Sequence, residues 1–251
     1  LNNTPVYTNL KRKIAAEYNR SRSGRWGEFV EGVCEDLKTN QKIVALTFDA
    51  CGGEKGTGYD NELIEFLRKE KIPATIFVTG RWIDAHYPEF VNLAHDTLFE
   101  IENHGLNHRP CTISGRSVYG IKGTANPPEA FEEVEGNAQK IKAITGRRPH
   151  FYRSATAFID EAGAAMVREL GMIPVSYQVL SGDASAAVSK ATITNNVLKN
   201  VRPGAIIIMH MNHPQWNTCE ALQKIVHELR KMGYRFAHLN NCKLTDREGK
   251  T

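Results

Sequence analysis

The sequence predicts an α/β protein organised around a parallel sheet or barrel, and three observations carry that reading. From Lys42 onward, short β-rich runs alternate with helical patterns, the arrangement expected of successive βα units. No internal repeat, low-complexity tract or linker interrupts the alternation, so the 251 residues are read as one domain with an N-terminal extension. Chemistry-bearing residues also cluster just where the predicted strands end.

The first 40 residues are polar and basic, with Lys11-Arg12-Lys13 and Arg20, Arg22 and Arg25. A short helix is expected over residues 10–18, with Trp26 and Phe29 packing this extension onto the main domain. The extension is set at 1–40, the main domain at 41–242 and a tail at 243–251. Strands are predicted over residues 43–48, 74–78, 98–102, 150–153, 173–177, 205–209 and 235–238. Helices are predicted over 59–69, 88–94, 128–145, 161–170, 192–200 and 218–231. In the first of these, Leu63, Ile64, Phe66 and Leu67 form an apolar face at helical spacing. Gly146, Gly171 and Gly233 each follow a predicted helix, where glycine accepts the left-handed cap.

Composition bounds the function. With 41% hydrophobic and 24% charged residues the chain reads as an ordinary globular protein, and a net charge of +4 makes no case for nucleic acid. No apolar run approaches the roughly 20 residues of a membrane helix. The chain begins at Leu1 rather than Met, so a secretory signal is expected to have been removed or to lie outside this sequence. Cys34, Cys51, Cys111, Cys219 and Cys242 form no C-x-x-C pair. Cys34 precedes the first main strand and Cys242 follows the last, which makes a disulfide between them geometrically attractive, while the pairing of the five is left open and Cys51 and Cys111 either pair or stand free. The odd count leaves at least one thiol, and the cysteine content suits an exported protein.

The candidate chemistry comes next. Asp49 ends an apolar strand and leads into the flexible Cys51-Gly52-Gly53 turn; an acid there is costly to bury unless paired or functional. His104 and His108 stand four residues apart directly after a strand, and on one helical turn both imidazoles face the same side and can share a metal. Arg153, also at a strand end, is placed to pair with Asp49 and orient it as a base, or to form an interior ion pair. His210 leaves the Ile206-Ile207-Ile208-Met209 run as a candidate general acid, with Asp183 to fix its tautomer.

The ordered set Leu46-Thr47-Phe48-Asp49, His104-x-x-x-His108, Arg153, Asp183 and His210 resembles the NodB-like polysaccharide deacetylases, carbohydrate esterase family 4. The resemblance runs from about Lys42 to Asn240. It implies a distorted (β/α)7 barrel and removal of acetyl groups, most often N-acetyl, from an amino-sugar polysaccharide such as peptidoglycan or a chitin-like glycan. By the same resemblance His104 and His108 hold a divalent metal, usually zinc. Asp49 takes the water proton, Arg153 orients Asp49, and His210, tuned by Asp183, protonates the departing amine. The backbone N–H of Thr156 is assigned to the oxyanion and Tyr177 to the substrate groove. A periplasmic or secreted location and an acetylated glycan as partner follow from the family.

The chain departs from the pattern in places. Ala50 occupies the position where a second, metal-binding aspartate is usual, which weakens the expected zinc site. The third motif reads Arg153-Ser154-Ala155-Thr156 instead of Arg-Pro-Pro-Tyr, and Tyr177-Gln178 stand near a thinned, Trp-rich fourth motif. Residues 111–126 are longer than the family norm and are expected to cover the site. Two other readings remain open at this level: a catalytically impaired glycan-binding protein, and hydrolysis of a non-sugar C–N bond.

Overall fold

The structure, a computed structural model, describes residues 4–53 and 56–246. Among them the main sheet has eight strands: β1 (Ile43–Ala50), β2 (Ala74–Val78), β3 (Phe99–Asn103), β4 (Phe151–Tyr152), β5 (Ile173–Pro174), β6 (Val179–Leu180), β7 (Ile206–His210) and β8 (Arg235–Phe236). Nine helices accompany them: α1 (Pro5–Tyr18), α2 (Asn61–Lys69), α3 (Gly80–Ala85), α4 (Tyr87–His95), α5 (Pro127–Phe131), α6 (Asn137–Thr145), α7 (Glu161–Glu169), α8 (Lys190–Asn200) and α9 (Thr218–Lys231). The strand order is β5-β4-β3-β2-β1-β7-β6, with β8 also on β1. The β5–β4, β4–β3, β1–β7, β7–β6 and β1–β8 pairs are parallel, as crossover connections require. This is the topology of the distorted (β/α) barrel that the sequence predicts.

The chain divides into two compact units. One comprises Glu35–Phe77, Pro88–Ile101 and the chain from Tyr177 onward. Its core is the apolar run of β7 beside that of β1, with Val44, Leu46, Phe48 and Ile206 wholly buried. Strands buried on both faces need continuous apolar runs rather than alternation, and both sequences supply them. The α2 face of Leu63, Ile64 and Leu67 meets α9, which presents Leu222, Ile225 and Leu229. Each such side chain contributes about 1.5–3 kcal/mol on burial.

The other unit comprises the chain up to Cys34, with Val78–Tyr87 and Glu102–Ser176. Its core gathers Tyr7, Ile14 and Tyr18 of α1 with Phe131, Val134, Ala138, Met166 and Val167. The Tyr7 and Phe131 rings meet edge to face at 5.2 Å. Helix α1 starts earlier than the predicted residue 10 because Thr4 caps it and Pro5 sits in its first turn.

Three expectations are corrected here. The single helix predicted over 128–145 is broken by a π-helical turn, Glu132–Gly136. The extra residue turns both Glu133 and Glu135 inward, and Glu135 takes two bonds from Arg148 at 3.0 and 2.7 Å. The strand expected over 173–177 is only two residues, and Val179–Leu180 forms a strand of its own against β7. None of the five cysteines is in a disulfide, so the Cys34–Cys242 bridge that the sequence makes attractive does not form. Cys34 is buried instead, its backbone bridged in parallel to Val175.

Candidate active site

In the unit that carries β1 and β7, Asp49 and His210 are register partners on adjacent parallel strands. Partners in a parallel pair face the same side of the sheet, so the acid and the imidazole leave it together at the strands' C-terminal ends. His210, expected just beyond its strand, is its last residue, and Met211 N–H donates to the Asp49 carbonyl at 3.1 Å. The His210 ring is held by Asp183: Nδ1 donates to Oδ1 at 2.8 Å, while the backbone N–H of His210 donates to Oδ2 at 2.7 Å. Ser181 Oγ and Thr218 Oγ1 complete the carboxylate at 2.8 and 3.0 Å. Four donors and no acceptor fix the proton on Nδ1 and leave Nε2 as the working nitrogen. The His210 side chain keeps 18% exposure against 1% for Asp183, so the reactive end is reachable and its support is not.

His213 stacks flat on Trp216, ring centroids 3.5 Å apart. Burial, and then the charge of His210, pull its pKa down, with Asp183 acting the other way. Cys51, two residues beyond Asp49, has its thiol pKa pushed well up by burial and then by the charges of Asp49 and Asp183. Cys51 belongs to no motif in the sequence, and its position two residues after Asp49 is the signal that points to it. Tyr177 is buried at the start of this unit's last segment.

In the other unit, His104 and His108 follow β3 on a loop and not on the helical turn expected for them. Gly105 has φ +88° and His108 φ +56°, both left-handed. The loop wraps around Glu133, whose carboxylate accepts the N–H groups of Asn107 and Arg109 at 2.9 and 3.0 Å. The Glu133 carbonyl accepts Leu106 N–H at 2.9 Å. A Cβ at Gly105 would collide with the same carboxylate, so glycine is required there. Burial lifts the Glu133 carboxyl to about 7, against the lowering effect of those N–H donors. Glu133 reads in sequence as one more charge on a helix face, which is why pattern alone misses it.

The two imidazoles stand with ring centroids 5.1 Å apart. His104 Nδ1 donates to the Arg153 carbonyl at 2.8 Å; a carbonyl only accepts, so the hydrogen is on Nδ1 and Nε2 presents a lone pair. Arg153 is wholly buried, and its Nη2 donates to Ser176 O at 2.8 Å. After it, Thr156 and Ala157 are both left-handed, at φ +63° and +61°, an uncommon state for residues with a Cβ. His104 and His108 each offer a ring nitrogen as a ligand atom. Two neutral imidazoles suit zinc, so the residues present in this unit fit a divalent metal.

A parallel α/β sheet with a carboxylate and an oriented imidazole at its strand ends fits a hydrolase. The profile of the polysaccharide deacetylase family matches residues 36–175, and the chain belongs to that family. It is a polysaccharide deacetylase-like hydrolase, of the class acting on carbon–nitrogen bonds other than peptide bonds. A peptidoglycan-N-acetylglucosamine deacetylase of Bacillus cereus is 28% identical over 203 residues, covering 80% of this chain and 88% of the relative. The solved Bc1960 peptidoglycan N-acetylglucosamine deacetylase superposes with a TM-score of 0.71 at 26% identity, over 84% of this chain and 92% of that one. A family 4 carbohydrate esterase pseudoenzyme from Bacillus anthracis shares the fold, with a TM-score of 0.67 at 21% identity, over 81% of this chain and 66% of that one.

Proposed function

We propose that this chain is a metal-dependent N-deacetylase of an amino-sugar polymer, with peptidoglycan as the leading substrate and the cell exterior or periplasm as its place of work. The observation that carries it is the pairing of Asp49 and His210 across β1 and β7, with Asp183 locking the His210 tautomer. A structural histidine has no need of a buried carboxylate satisfied by four donors.

In this reading His104 and His108 would hold the metal, zinc by preference, and Cys51, directly after Ala50, would supply the donor that Ala50 lacks. When bound, the metal polarises the acetyl carbonyl and acidifies water. Asp49 accepts the proton of the attacking water, and Arg153 orients that carboxylate. His210 Nε2 donates a proton to the departing sugar amine, while Asp183 stabilises the imidazolium. The main-chain N–H of Thr156, set by its left-handed backbone, donates to the oxyanion. Tyr177 lines the groove.

Acetate release from N-acetylglucosamine oligomers and from peptidoglycan, with zinc-loaded protein, tests the proposal. Turnover is expected, abolished by chelation, and reduced at least about 100-fold in His210→Ala with metal content unchanged. Ala50 favours a second reading, a glycan-binding protein without turnover. Glycan binding with no acetate from the zinc-loaded wild type would establish that alternative. Acetate released only from non-sugar amides would point to the amidohydrolase reading.

A further inference from the structure

We propose that Trp26, Tyr119 and Phe158 form an aromatic platform that binds a sugar residue of a glycan chain, next to the sugar being deacetylated. The position relative to that sugar rests on the deacetylase reading; the binding does not.

The three rings come from separate parts of the sequence. Phe158 lies between the other two, 5.6 Å from Trp26 and 5.8 Å from Tyr119 by ring centroids, the latter pair edge to face. Tyr119 is 76% exposed, far more than an apolar ring needs for ordinary surface packing. It sits at the tip of a hairpin whose strands are Ser117–Val118 and Ile121–Lys122, with Val118 opposite Ile121. The two-residue turn puts Tyr119 at φ +53° and Gly120 at φ +76°. Such turns favour Asn or Asp at the first position. A tyrosine there is strained, and the strain is tolerated where it presents the ring.

The platform is tied to the Arg153 loop. Phe158 follows Thr156 by two residues, at most about 7 Å along the chain, the reach of one or two sugar units. Ser154 Oγ donates to the Phe158 carbonyl at 2.6 Å and accepts Cys111 N–H, at the base of the hairpin segment, at 2.8 Å. Trp26 pairs with Asp160 in a short antiparallel bridge, and Cys111 bridges Ile159. Loop, hairpin segment and N-terminal strand therefore hold the rings in one fixed arrangement.

The chemistry selects a sugar over an apolar partner. A pyranose offers a C–H face to an aromatic ring and hydroxyls at its edge. The Trp26 indole N–H and the Tyr119 hydroxyl make no hydrogen bond among the described residues, so each is open to a sugar hydroxyl. The surroundings are charged and polar, with the Arg25–Glu161 pair and Arg116 bonded to Ser23 Oγ. A three-ring patch inside such a rim is too small for a stable protein interface.

Isothermal titration with the β-1,4-linked tetramer of N-acetylglucosamine, in the His210→Ala protein so that no turnover occurs, tests the platform. Adding Tyr119→Ala is expected to weaken tetramer binding about 5- to 20-fold, Tyr119→Phe less, with the fluorescence response of Trp26 lost in Trp26→Ala. In the active protein, Tyr119→Ala should leave hydrolysis of a small acetyl ester unchanged. Tyr119 is exposed, so its variants test the idea even if Trp26→Ala fails to fold. Equal tetramer affinity in the Tyr119 variants, no tetramer binding by the parent protein, or a dimer that Tyr119→Ala dissolves would each overturn it. Tetramer binding without acetate release would overturn the deacetylase reading alone.

Discussion

Cys51 is the residue whose neighbourhood most changes what the site can do. Ala50 offers no ligand atom where the resemblance implies a metal-binding aspartate, and the next residue carries a donor of different character. A thiolate is softer than a carboxylate and shifts preference toward zinc and cobalt over magnesium or manganese. Cys51→Ser is therefore expected to lower zinc affinity on the order of 100-fold. In cobalt-loaded protein it should remove the near-ultraviolet charge-transfer band that only a thiolate ligand produces. A cobalt spectrum without that band in the wild type would sink the assignment. His210 shows a complementary economy at the same scale. One carboxylate, Asp183, binds both its ring and its backbone N–H, so tautomer and position are set together.

At the scale of elements, the chain that follows strand β3 owes its shape to two buried carboxylates contributed by other elements. Glu133, turned inward by the π-helical turn, gathers the N–H groups around His108. Asp160 does the same for the segment that begins at Cys111. It caps α7 through Gly163 N–H at 2.7 Å, and its other oxygen accepts Thr112 Oγ1 and Ile113 N–H at 2.6 and 2.9 Å. Burial raises the Asp160 pKa, and those three donors counter it. Asp160→Ala loses the cap and strands two buried donors, so a cost of about 2–4 kcal/mol is expected as a shift in the urea midpoint. A change under about 0.5 kcal/mol would mean that water replaces the carboxylate. Asp160→Asn, which keeps the acceptor oxygens in part, should fall between.

At the scale of the whole molecule, Glu133 links stability to pH. Its carboxyl titrates near 7 in the folded chain against an ordinary 4.5. Between those values the folded state holds a proton that the unfolded state has released. Stability of the metal-free protein is therefore full below about 4.5 and declines as pH rises toward about 7, by up to roughly 3 kcal/mol. Thermal unfolding of chelated protein across that window should show a falling Tm in the wild type and a flatter profile in Glu133→Gln. Equal slopes in the two proteins would place the linkage elsewhere.

Much of the architecture is legible from the chain alone. The apolar runs of β1 and β7 admit no assignment but buried strands, and the helical spacing of Leu63, Ile64 and Leu67 fixes the face that α2 buries. The alternation of these patterns determines a parallel α/β fold, because local periodicity records which faces are hidden. It also places Asp49, His104, Arg153 and His210 at strand ends, since chemistry-bearing residues stand out where an apolar run stops. Tertiary structure alone decided the rest. It joined Asp183 to Ser181, Thr218 and His210, curled the His104–His108 loop around a glutamate some 25 residues later, left the five cysteines without a disulfide, and brought Trp26, Tyr119 and Phe158 together. These contacts depend on where loops of different lengths meet in space, and a hydrogen bond between distant residues leaves no periodic trace in the sequence.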